Sequence, residues 1–416
     1  MPDTHLKIAI VALDFNREGG SERRTAQLIE RLAARGHAVH LIGARIAGAQ
    51  DPRIVCHPIP TRPRPHWSEI VQFTRQARVV AARESFDLVH NQIRPFVPGV
   101  LTVGGGCHRF YLREILPKER GEVCAWLKRH APLHWVLLAL ERRGFDPIFC
   151  PVVLTNSALA RDGILKYYSY PADRIVVAHN GVDAERFRPA EGAAGREALR
   201  QRLGIGPTEL LVLFMGSGFA RKGLRPLLAA AARASARGAT LRLVVAGSGA
   251  PEAWRRQAKR LGLAARVQFV GAVPDPEVYY RAADVFALPT YFDPFANATL
   301  EAMASGLPVV TTRLNGVSEI LRPGHDGLLI DRPEDIQGLT DALLTLQDPG
   351  YRRDMGLRAR ETALRYPWDG PLQATLAVYE RVLAERGATG GGAEGHGGRG
   401  AGERRGGRNE KPTMKN

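Results

Sequence analysis

Residues 291–312 read YFDPFANATLEAMASGLPVVTT, and this stretch decides the fold because it joins a helix to the strand that follows it. Asp293 is a favourable N-cap residue, Pro294 suits the first helical position, and Gly306 is suited to end the helix. The apolar residues 309–312 then predict a buried strand. A helix followed at once by a buried strand is typical of parallel sheets, so the pattern predicts an α/β fold.

Two carboxylates, Asp293 and Glu301, lie on this predicted helix. At about 1.5 Å of rise per residue they would lie roughly 12 Å apart along the axis, beyond the ~5 to 9.5 Å of a glycosidase carboxylate pair. We therefore expect them to bind two parts of one long ligand, with the N–H groups after Pro294 forming an anion site. The alternative is an ordinary Asp-Pro cap and a solvated glutamate.

Length and cysteine usage limit the class of protein. A chain of 416 residues exceeds the size of a single hydrophobic core, so two domains are expected. The four cysteines form no C-x2-C pair and have no histidine at metal spacing, which argues against a zinc site and a disulfide framework. The N-terminal apolar run is too short for a signal peptide or a bilayer span, so we expect a cytoplasmic protein.

The net charge of +16 raises the question of an anionic partner. Arg far outnumbers Lys while Ala and Gly are abundant, a bias that GC-rich coding alone would produce. The chain has no zinc-finger spacing, no aromatic-studded basic strand and no convincing helix-turn-helix pattern. A nucleic-acid partner is therefore not expected.

Short apolar runs alternate with helical patterns along most of the chain, which indicates doubly wound parallel sheets. The first series of predicted strands covers residues 6–13, 39–42, 87–91, 152–156 and 175–179. The second series covers residues 210–216, 241–246, 267–270, 285–288, 308–312 and 327–330. We interpret the polar passage between them, residues 189–206, as the junction of two Rossmann-like domains whose strand ends face one cleft.

This junction divides the chain into an N-terminal domain, residues 1–188, and a C-terminal domain, residues 189–366. A last helical pattern covers residues 367–386. Residues 387–416 are rich in Gly, carry several Arg and are nearly free of large apolar side chains. They are therefore predicted to be a disordered tail.

Two glycine-containing loops are suited to phosphate. Gly19 and Gly20 follow the first strand and open a helix, where backbone N–H groups can approach a phosphate. The chain lacks G-x-G-x-x-G and G-x4-G-K-[ST], which disfavours a dinucleotide oxidoreductase and a P-loop NTPase. In the loop SGFARKG at residues 217–223, Arg221 and Lys222 suit a diphosphate, with a solvated surface pair as the alternative.

The run GGGCHR at residues 104–109 allows close backbone approach to a ligand. His108 is in a position to hydrogen-bond a bound sugar, and the alternative is a loop histidine satisfied by the protein. Residues 110–143 mix basic side chains with Trp and Leu. This composition is typical of a surface that binds anionic membranes, and equally of basic residues around a buried core.

Residues 293–309 resemble the signature E-x-F-G-x4-E-A-x-A-x-G-x-P-V of the retaining glycosyltransferases of family 4. The matching positions are Asp293, Phe295, Ala296, Glu301, Ala302, Ala304, Gly306, Pro308 and Val309. Asp293 and Ala296 depart from the signature, which has Glu and Gly there, and the shorter acid leaves its carboxylate about one methylene further from the sugar. The resemblance implies a GT-B fold, in which two Rossmann-like domains face a central cleft and the C-terminal helix crosses back to the N-terminal domain.

The resemblance also implies roles for individual residues. Arg221 and Lys222 would bind the donor diphosphate, and Glu301 would bind the ribose hydroxyls. Asp293 and the nearby N–H groups would orient the sugar, which His108 would contact. The implied catalytic residues are Asp293, Lys222, Arg221 and His108, and the implied donor-binding residues are Gly19, Gly20, Gly247, Val273, Phe295, Ala296, Asn297, Ala298 and Glu301.

Within family 4 the combined features are most similar to the lipopolysaccharide core glucosyltransferases. The resemblance implies a retaining hexosyltransferase that needs no metal or cofactor and moves a UDP-linked hexose to a glycan or lipid-linked acceptor in cell-envelope synthesis. It would work in the cytoplasm, with a peripheral position at the inner face of the plasma membrane. Two other classes stay open: a GT-B epimerase or phosphorylase, for which Lys259 is an unpromising pyridoxal-binding residue, and a basic binding protein without catalysis.

Overall fold

The structure, a computed structural model, describes residues 5–15, 20–47, 51–192 and 194–390. Within these residues, parallel strands form a seven-stranded sheet, a six-stranded sheet and a short two-stranded pair. The strands are β1 (Lys7–Val11), β2 (Asp14–Phe15), β3 (Ala38–Gly43), β4 (Arg45–Ile46), β5 (Ile54–Pro58), β6 (Leu88–Gln92), β7 (Val100–Val103), β8 (Val153–Thr155), β9 (Ile175–Val177), β10 (Leu210–Met215), β11 (Leu241–Ala246), β12 (Val267–Gly271), β13 (Val285–Leu288), β14 (Val309–Thr312) and β15 (Leu328–Ile330).

Helices connect most of these strands. They are α1 (Gly20–Ala34), α2 (His66–Glu84), α3 (His108–Phe110), α4 (Leu116–Arg120), α5 (Glu122–Arg129), α6 (Pro132–Gly144), α7 (Ala158–Leu165), α8 (Ala194–Arg202), α9 (Leu224–Ala236), α10 (Glu252–Arg260), α11 (Pro276–Ala282), α12 (Asn297–Ala304), α13 (Ile336–Thr345), α14 (Pro349–Ala363) and α15 (Asp369–Gly390). A π-helical turn at Tyr111–Ile115 and 3₁₀ turns at Ala172–Arg174 and Gly316–Glu319 are also present. Among the described residues, no helix is both long enough and apolar enough to cross a bilayer.

Both large sheets have the doubly wound strand order. The first is β5-β3-β1-β6-β7-β8-β9, and the second is β12-β11-β10-β13-β14-β15. In each sheet the chain starts in the middle, moves to one edge and returns to fill the other side. The direction reverses between β1 and β6 and between β10 and β13, and the loops at the carboxyl ends of such strands diverge to leave a crevice. The prediction of two Rossmann-like domains is confirmed.

The strands of both predicted series are present. The predicted bounds of two strands, residues 241–246 and 285–288, are the same as the observed bounds of β11 and β13. The pattern misses β5 and β7 in the first sheet. It also misses α8, which lies inside the passage interpreted as a polar junction. The buried Leu199 of α8 belongs to the core around β10, so this passage packs on the second sheet.

Helix α15 returns to the first domain, as the fold class predicts. Leu372, Tyr379 and Val382 are buried in the cluster that also contains Ile8 and Leu41 of the first sheet. The helix extends to Gly390, so residues 387–390 are helical rather than part of a disordered tail. The rest of that predicted tail, residues 391–416, lies outside the described residues.

The chain passes between the domains twice, and the two passages lie side by side. Val182 pairs with Pro367 in a parallel bridge and donates its backbone N–H to the Tyr366 carbonyl oxygen at 2.9 Å. Gly181 packs so closely against the second passage that a Cβ atom there would overlap the carbonyl oxygen of Pro367. The two connections are therefore in direct backbone contact.

Candidate active site

A cleft lies where the carboxyl ends of the two sheets face each other. The second domain contributes the loops after β10, β11, β12 and β13 together with the start of α12. The first domain contributes α1 and the loops after β7, β8 and β9. The space between these walls, including the part open to solvent, amounts to about 2490 Å³. This is ample for a ligand with several connected groups.

The loop after β10 carries two cations into the cleft. Lys222 Nζ contacts Asp293 Oδ2, and Arg221 Nη1 lies 3.7 Å from the same oxygen. Arg221 also donates to the Phe292 carbonyl oxygen at 2.8 Å. The loop ends at Gly223, where φ is +83° and a Cβ atom would overlap the Pro289 carbonyl oxygen, so glycine is required. Both basic side chains predicted from the sequence therefore line the cleft.

The side chain of Asp293 is 7 % exposed, and the groups around it favour the ionised form of its carboxyl. Burial alone would raise the pKa of its carboxyl. The adjacent Lys222 and Arg221, with a hydrogen bond from the Phe295 backbone N–H, outweigh burial and hold this pKa below its usual value. The result is a compact cluster of two cations and one carboxylate, with net positive charge.

The predicted helix start at Asp293 is wrong. Residues 293–296 are not helical: the Asp293 backbone forms a bridge with Asn315, accepts the Gly316 N–H at 2.8 Å and donates to the Leu314 carbonyl oxygen at 2.9 Å. Helix α12 begins only at Asn297. Because pairing with a distant loop holds Asp293, it does not cap the helix, and the helical estimate of its separation from Glu301 does not apply.

Asn315 is a positioning residue that the sequence pattern did not reveal. Its side chain is fully buried, and its Oδ1 accepts the N–H groups of Ala296 and Val317, each at 3.2 Å. Its Nδ2 donates to Thr299 Oγ1 at 3.1 Å and Thr311 Oγ1 at 3.0 Å. The predicted anion-binding N–H of Ala296 is therefore already used, and this amide fixes the entry to α12.

The exposed side of α12 presents two polar side chains. Glu301 lines the cleft and accepts a hydrogen bond from the Tyr280 hydroxyl at 2.9 Å, which fixes its direction. Asn297 Oδ1 accepts the Asn180 Nδ2 hydrogen at 2.7 Å and so joins the second domain to the first. Ala298 and the largely buried Phe295 also line the cleft.

The predicted nucleotide loops form the far end of the cleft. Gly247 has φ of +142° and crosses so close to the Gly216 carbonyl oxygen that no side chain fits. The hydroxyls of Ser217 and Ser248 lie 2.7 Å apart and tie the two loops together. Val273 lines the same end. This wall is therefore mostly backbone and small side chains, a surface on which a flat ring can lie.

The first domain contributes a polar wall opposite Asp293. Arg24 of α1 donates to Asn180 Oδ1 at 3.2 Å, and burial lowers the pKa of Arg24 to about 10. Asn156 Nδ2 donates to the Gly104 carbonyl oxygen at 3.1 Å. Its Oδ1 is buried without a hydrogen-bond partner among the described residues. A carbonyl oxygen held in this way is an acceptor available to a ligand hydroxyl.

His108 is not among the described residues that line the cleft. Its Nε2 lies 2.9 Å from His134 Nδ1, and the two rings are nearly coplanar and meet edge to edge, with centroids 5.1 Å apart. Burial, with His134 beside it, lowers the pKa of His108 to about 4. The structure thus places this predicted sugar contact beside the cleft, in a satisfied histidine pair. Gly20 opens α1 as expected, and Gly19 lies outside the described residues.

Two facing Rossmann-like domains with a returning C-terminal helix define the GT-B class of protein. Residues 18–186 match the family described as Glycosyltransferase Family 4, and residues 209–348 match the one described as Glycosyl transferases group 1. Together these matches cover well over half of the chain. The chain therefore belongs to glycosyltransferase family 4.

Several solved structures share the fold. WaaG, a glycosyltransferase involved in lipopolysaccharide biosynthesis, aligns over 88% of this chain and 98% of its own, with a TM-score of 0.76 and 23% identity. Sucrose-phosphate synthase from Thermosynechococcus elongatus aligns over 91% and 99%, with a TM-score of 0.71 and 21% identity. Anabaena Alr3699/HepE in complex with UDP-glucose aligns over 92% and 100%, with a TM-score of 0.66 and 20% identity. These likenesses confirm the GT-B fold.

Curated relatives are similar over a shorter length. The D-inositol 3-phosphate glycosyltransferase of Acidothermus cellulolyticus is 34% identical over 246 residues, which is 56% of this chain and 54% of that protein. The protein of that name from Streptomyces bingchenggensis is 32% identical over 243 residues, 56% and 53% of the two chains. The chain thus spans about half the length of the curated relatives it matches.

Proposed function

We propose that this chain is a retaining hexosyltransferase that moves a sugar from a UDP-linked donor to a glycan or lipid-linked acceptor. The observation that carries the proposal is the convergence of Lys222 and Arg221 on Asp293 beside the start of α12. Two cations fixed at the carboxyl end of a parallel sheet suit the diphosphate of a sugar nucleotide.

The remaining cleft residues suit the other parts of such a donor. Glu301, oriented by Tyr280, suits the two ribose hydroxyls, because a carboxylate accepts two hydrogen bonds at once. The backbone wall at Gly247 and Val273 suits the flat uracil ring. Asp293 then lies on the sugar side of the diphosphate and faces Asn156 and Arg24 across the cleft.

The proposed reaction breaks the bond between the sugar C1 and the diphosphate oxygen. Lys222 and Arg221 stabilise the negative charge that develops on the departing UDP. The acceptor hydroxyl attacks from the same face, and its proton passes to the phosphate oxygen that has just left. Because two side-chain cations provide this charge, we propose that no divalent metal is needed.

The names of related proteins support the donor and widen the choice of acceptor. Anabaena Alr3699/HepE forms complexes with UDP-glucose and UDP, which supports a UDP-sugar. WaaG is involved in lipopolysaccharide biosynthesis, which supports a cell-envelope glycan. The D-inositol 3-phosphate glycosyltransferases support a phosphorylated polyol as the second candidate acceptor, and Arg24 on the first-domain wall is a cation suited to its phosphate.

Donor binding and slow hydrolysis test the proposal. With purified protein, UDP-glucose is expected to raise Tm and to be hydrolysed slowly to UDP and glucose, because water replaces the absent acceptor. GDP-mannose and ADP-glucose serve as matched nucleotides, and chelator should leave the rate unchanged. If no sugar nucleotide raises Tm or is hydrolysed, the chain is a binding protein that has kept the fold.

A phosphorylase or epimerase with pyridoxal chemistry is the less favoured candidate. Lys259 is exposed on α10 and does not line the cleft. Lys222 is the single lysine among the described residues that line the cleft, and it is bound to Asp293. A Schiff-base lysine would need to lie free in the cleft.

We also propose that the protein binds anionic membranes through an apolar patch on α5 and α6. The patch consists of Val123, Trp126, Leu127 and Trp135, which are 75%, 57%, 59% and 58% exposed. The three residues on α5 lie at helical i, i+3 and i+4 positions and so share one face. Basic side chains flank them in the sequence, namely Arg120, Lys128 and Arg129, of which Arg120 and Arg129 pair with Glu119 and Glu122. Exposed Trp and Leu beside basic residues suit a lipid headgroup layer.

Vesicle co-sedimentation tests the patch. The protein is expected to sediment with vesicles of equal parts phosphatidylcholine and phosphatidylglycerol but much less with pure phosphatidylcholine. The double variant Trp126→Ser, Leu127→Ser should weaken this binding by about tenfold or more, since each side chain buries large apolar area in the interface. Equal recovery with both lipids would remove the proposal.

The matched control is Leu357→Ser with Leu364→Ser. These leucines are 56% and 48% exposed. Leu357 lies on α14 and Leu364 just after it, away from the apolar patch on α5 and α6. This variant also loses exposed apolar area, but outside the patch, so its binding to vesicles should be unchanged.

A further inference from the structure

A cluster of metal-binding side-chain types lies outside the cleft, on the first domain. It comprises His40 of β3, His57 of β5 and Glu84, the last residue of α2. His40 Nδ1 lies 2.8 Å from His57 Nε2, and each residue offers one ligand atom within 4.8 Å of the other two. Residues 40, 57 and 84 have no motif spacing, so the sequence pattern did not predict the cluster.

The two imidazole rings are already held in a defined arrangement. They are nearly coplanar, with an interplanar angle of 18° and centroids 5.1 Å apart, so the two nitrogens point at each other edge to edge. Phe86 packs edge-on against both, at 5.1 Å from His40 and 6.4 Å from His57. At Zn–N distances of about 2.0 to 2.1 Å, two nitrogens on a tetrahedral ion lie about 3.3 Å apart, so an ion requires the pair to separate by ~0.5 Å and the rings to turn until both nitrogens point at it.

We propose that His40, His57 and Glu84 form a structural binding site for a divalent transition-metal ion, with zinc as the best fit. Two imidazoles and one carboxylate are ligands that zinc prefers, and water would complete a tetrahedral shell. His57 and Glu84 are only half-buried, so an ion can enter from solvent. None of the three lines the cleft in the described part of the chain, so this site is separate from the transfer chemistry.

The location gives the ion a mechanical role. Strand β5 is the edge strand of the first sheet, and its side chains are mostly exposed, so few apolar contacts fix it. An ion bound by three elements would hold this edge strand and the end of α2 to β3. We therefore expect metal binding to raise the stability of this domain, because the site is complete only in the folded chain.

Lys7 is the competitor for the site. Its Nζ lies 3.1 Å from Glu84 Oε2. The ammonium group therefore occupies an oxygen that would bind the ion, and its positive charge repels an entering cation. Lys7→Met should therefore bind the ion more tightly than the natural chain. A hydrogen-bonded histidine pair that takes no ion would not respond to this change.

Zinc titration of tag-free, metal-depleted protein tests the proposal by calorimetry, and Co²⁺ titration adds the visible absorption of a tetrahedral site. The natural chain is expected to bind one equivalent of ion and to gain Tm. His40→Gln and His57→Gln should each weaken binding at least about tenfold, and Lys7→Met should tighten it several-fold. The matched control is His130→Gln, at an exposed histidine on the end of α5, which should bind as the natural chain does.

The melting curve of each variant without metal distinguishes loss of a ligand from loss of the fold. A variant that melts with the natural chain in the absence of zinc, yet gains no Tm when zinc is added, supports the site. The proposal is overturned if the natural chain binds no Zn²⁺ or Co²⁺, or if His57→Gln keeps full affinity.

Discussion

Lys222→Ala is expected to reduce turnover of the UDP-sugar by about 10²- to 10³-fold, the usual effect of removing one preorganised group that stabilises developing charge. The side chain lies in the cleft against Asp293, where the diphosphate charge would develop. The measurement is the rate of UDP release at saturating donor. Near-normal turnover would contradict the proposed role.

Two further variants separate chemistry from folding. Lys222→Ala also leaves the carboxylate of Asp293, 7 % exposed, without its nearest cation, which destabilises the chain. The double variant Lys222→Met, Asp293→Asn removes both charges, so it should recover most of the lost Tm while turnover stays low. Arg225→Ala, at an exposed position on α9, is the matched cation control and should keep the natural rate.

Glu301→Gln is expected to lower kcat/KM for the donor by about 10²-fold. A hydrogen bond to a charged group contributes about 1.5 to 3 kcal/mol, and the carboxylate is proposed to accept two from the ribose. Glutamine keeps the size of the side chain and can still accept from the Tyr280 hydroxyl. The loss should therefore appear in donor affinity rather than in stability.

A deoxyribose donor identifies the contact. The natural chain should be much less active on a UDP-sugar that lacks the ribose 2′ and 3′ hydroxyls than on the ordinary donor. The Glu301→Gln variant should have nearly the same low activity on both donors. Equal additional losses in both proteins would assign Glu301 to another part of the ligand. Glu252→Gln, on the surface helix α10, is the matched carboxylate control.

Three strands of the second sheet are predictable because they are buried on both faces. β10, β13 and β14 consist entirely of buried residues, and such runs are continuous in hydrophobicity. β5 is missed for the opposite reason, since it is an edge strand with mostly exposed side chains. β7 is as short and as buried as β13, but it lies between a proline-containing loop and a run of glycines, which together predict a loop.

The site is predictable where its residues share one segment and not where distant loops decide the geometry. The sequence predicts Arg221, Lys222 and Glu301 because each lies in a short motif whose residue types suit a defined part of the ligand. The start of α12 is misplaced because Asn315, eighteen residues after Asn297, takes the contacts that a local cap would have made. A lone asparagine in a loop has no sequence signal for such a role.

The side-by-side passages at Val182 and Pro367 have a consequence for motion. Two connections in backbone contact would act as a single hinge if the domains move, so that one domain would rotate against the other about a single line. Helix α15, packed in the first domain, travels with it during such a rotation. Closing the cleft over the proposed sugar nucleotide would then be a rotation of one whole domain, which would bring Asn156 and Arg24 toward Asp293 together and exclude water in one movement.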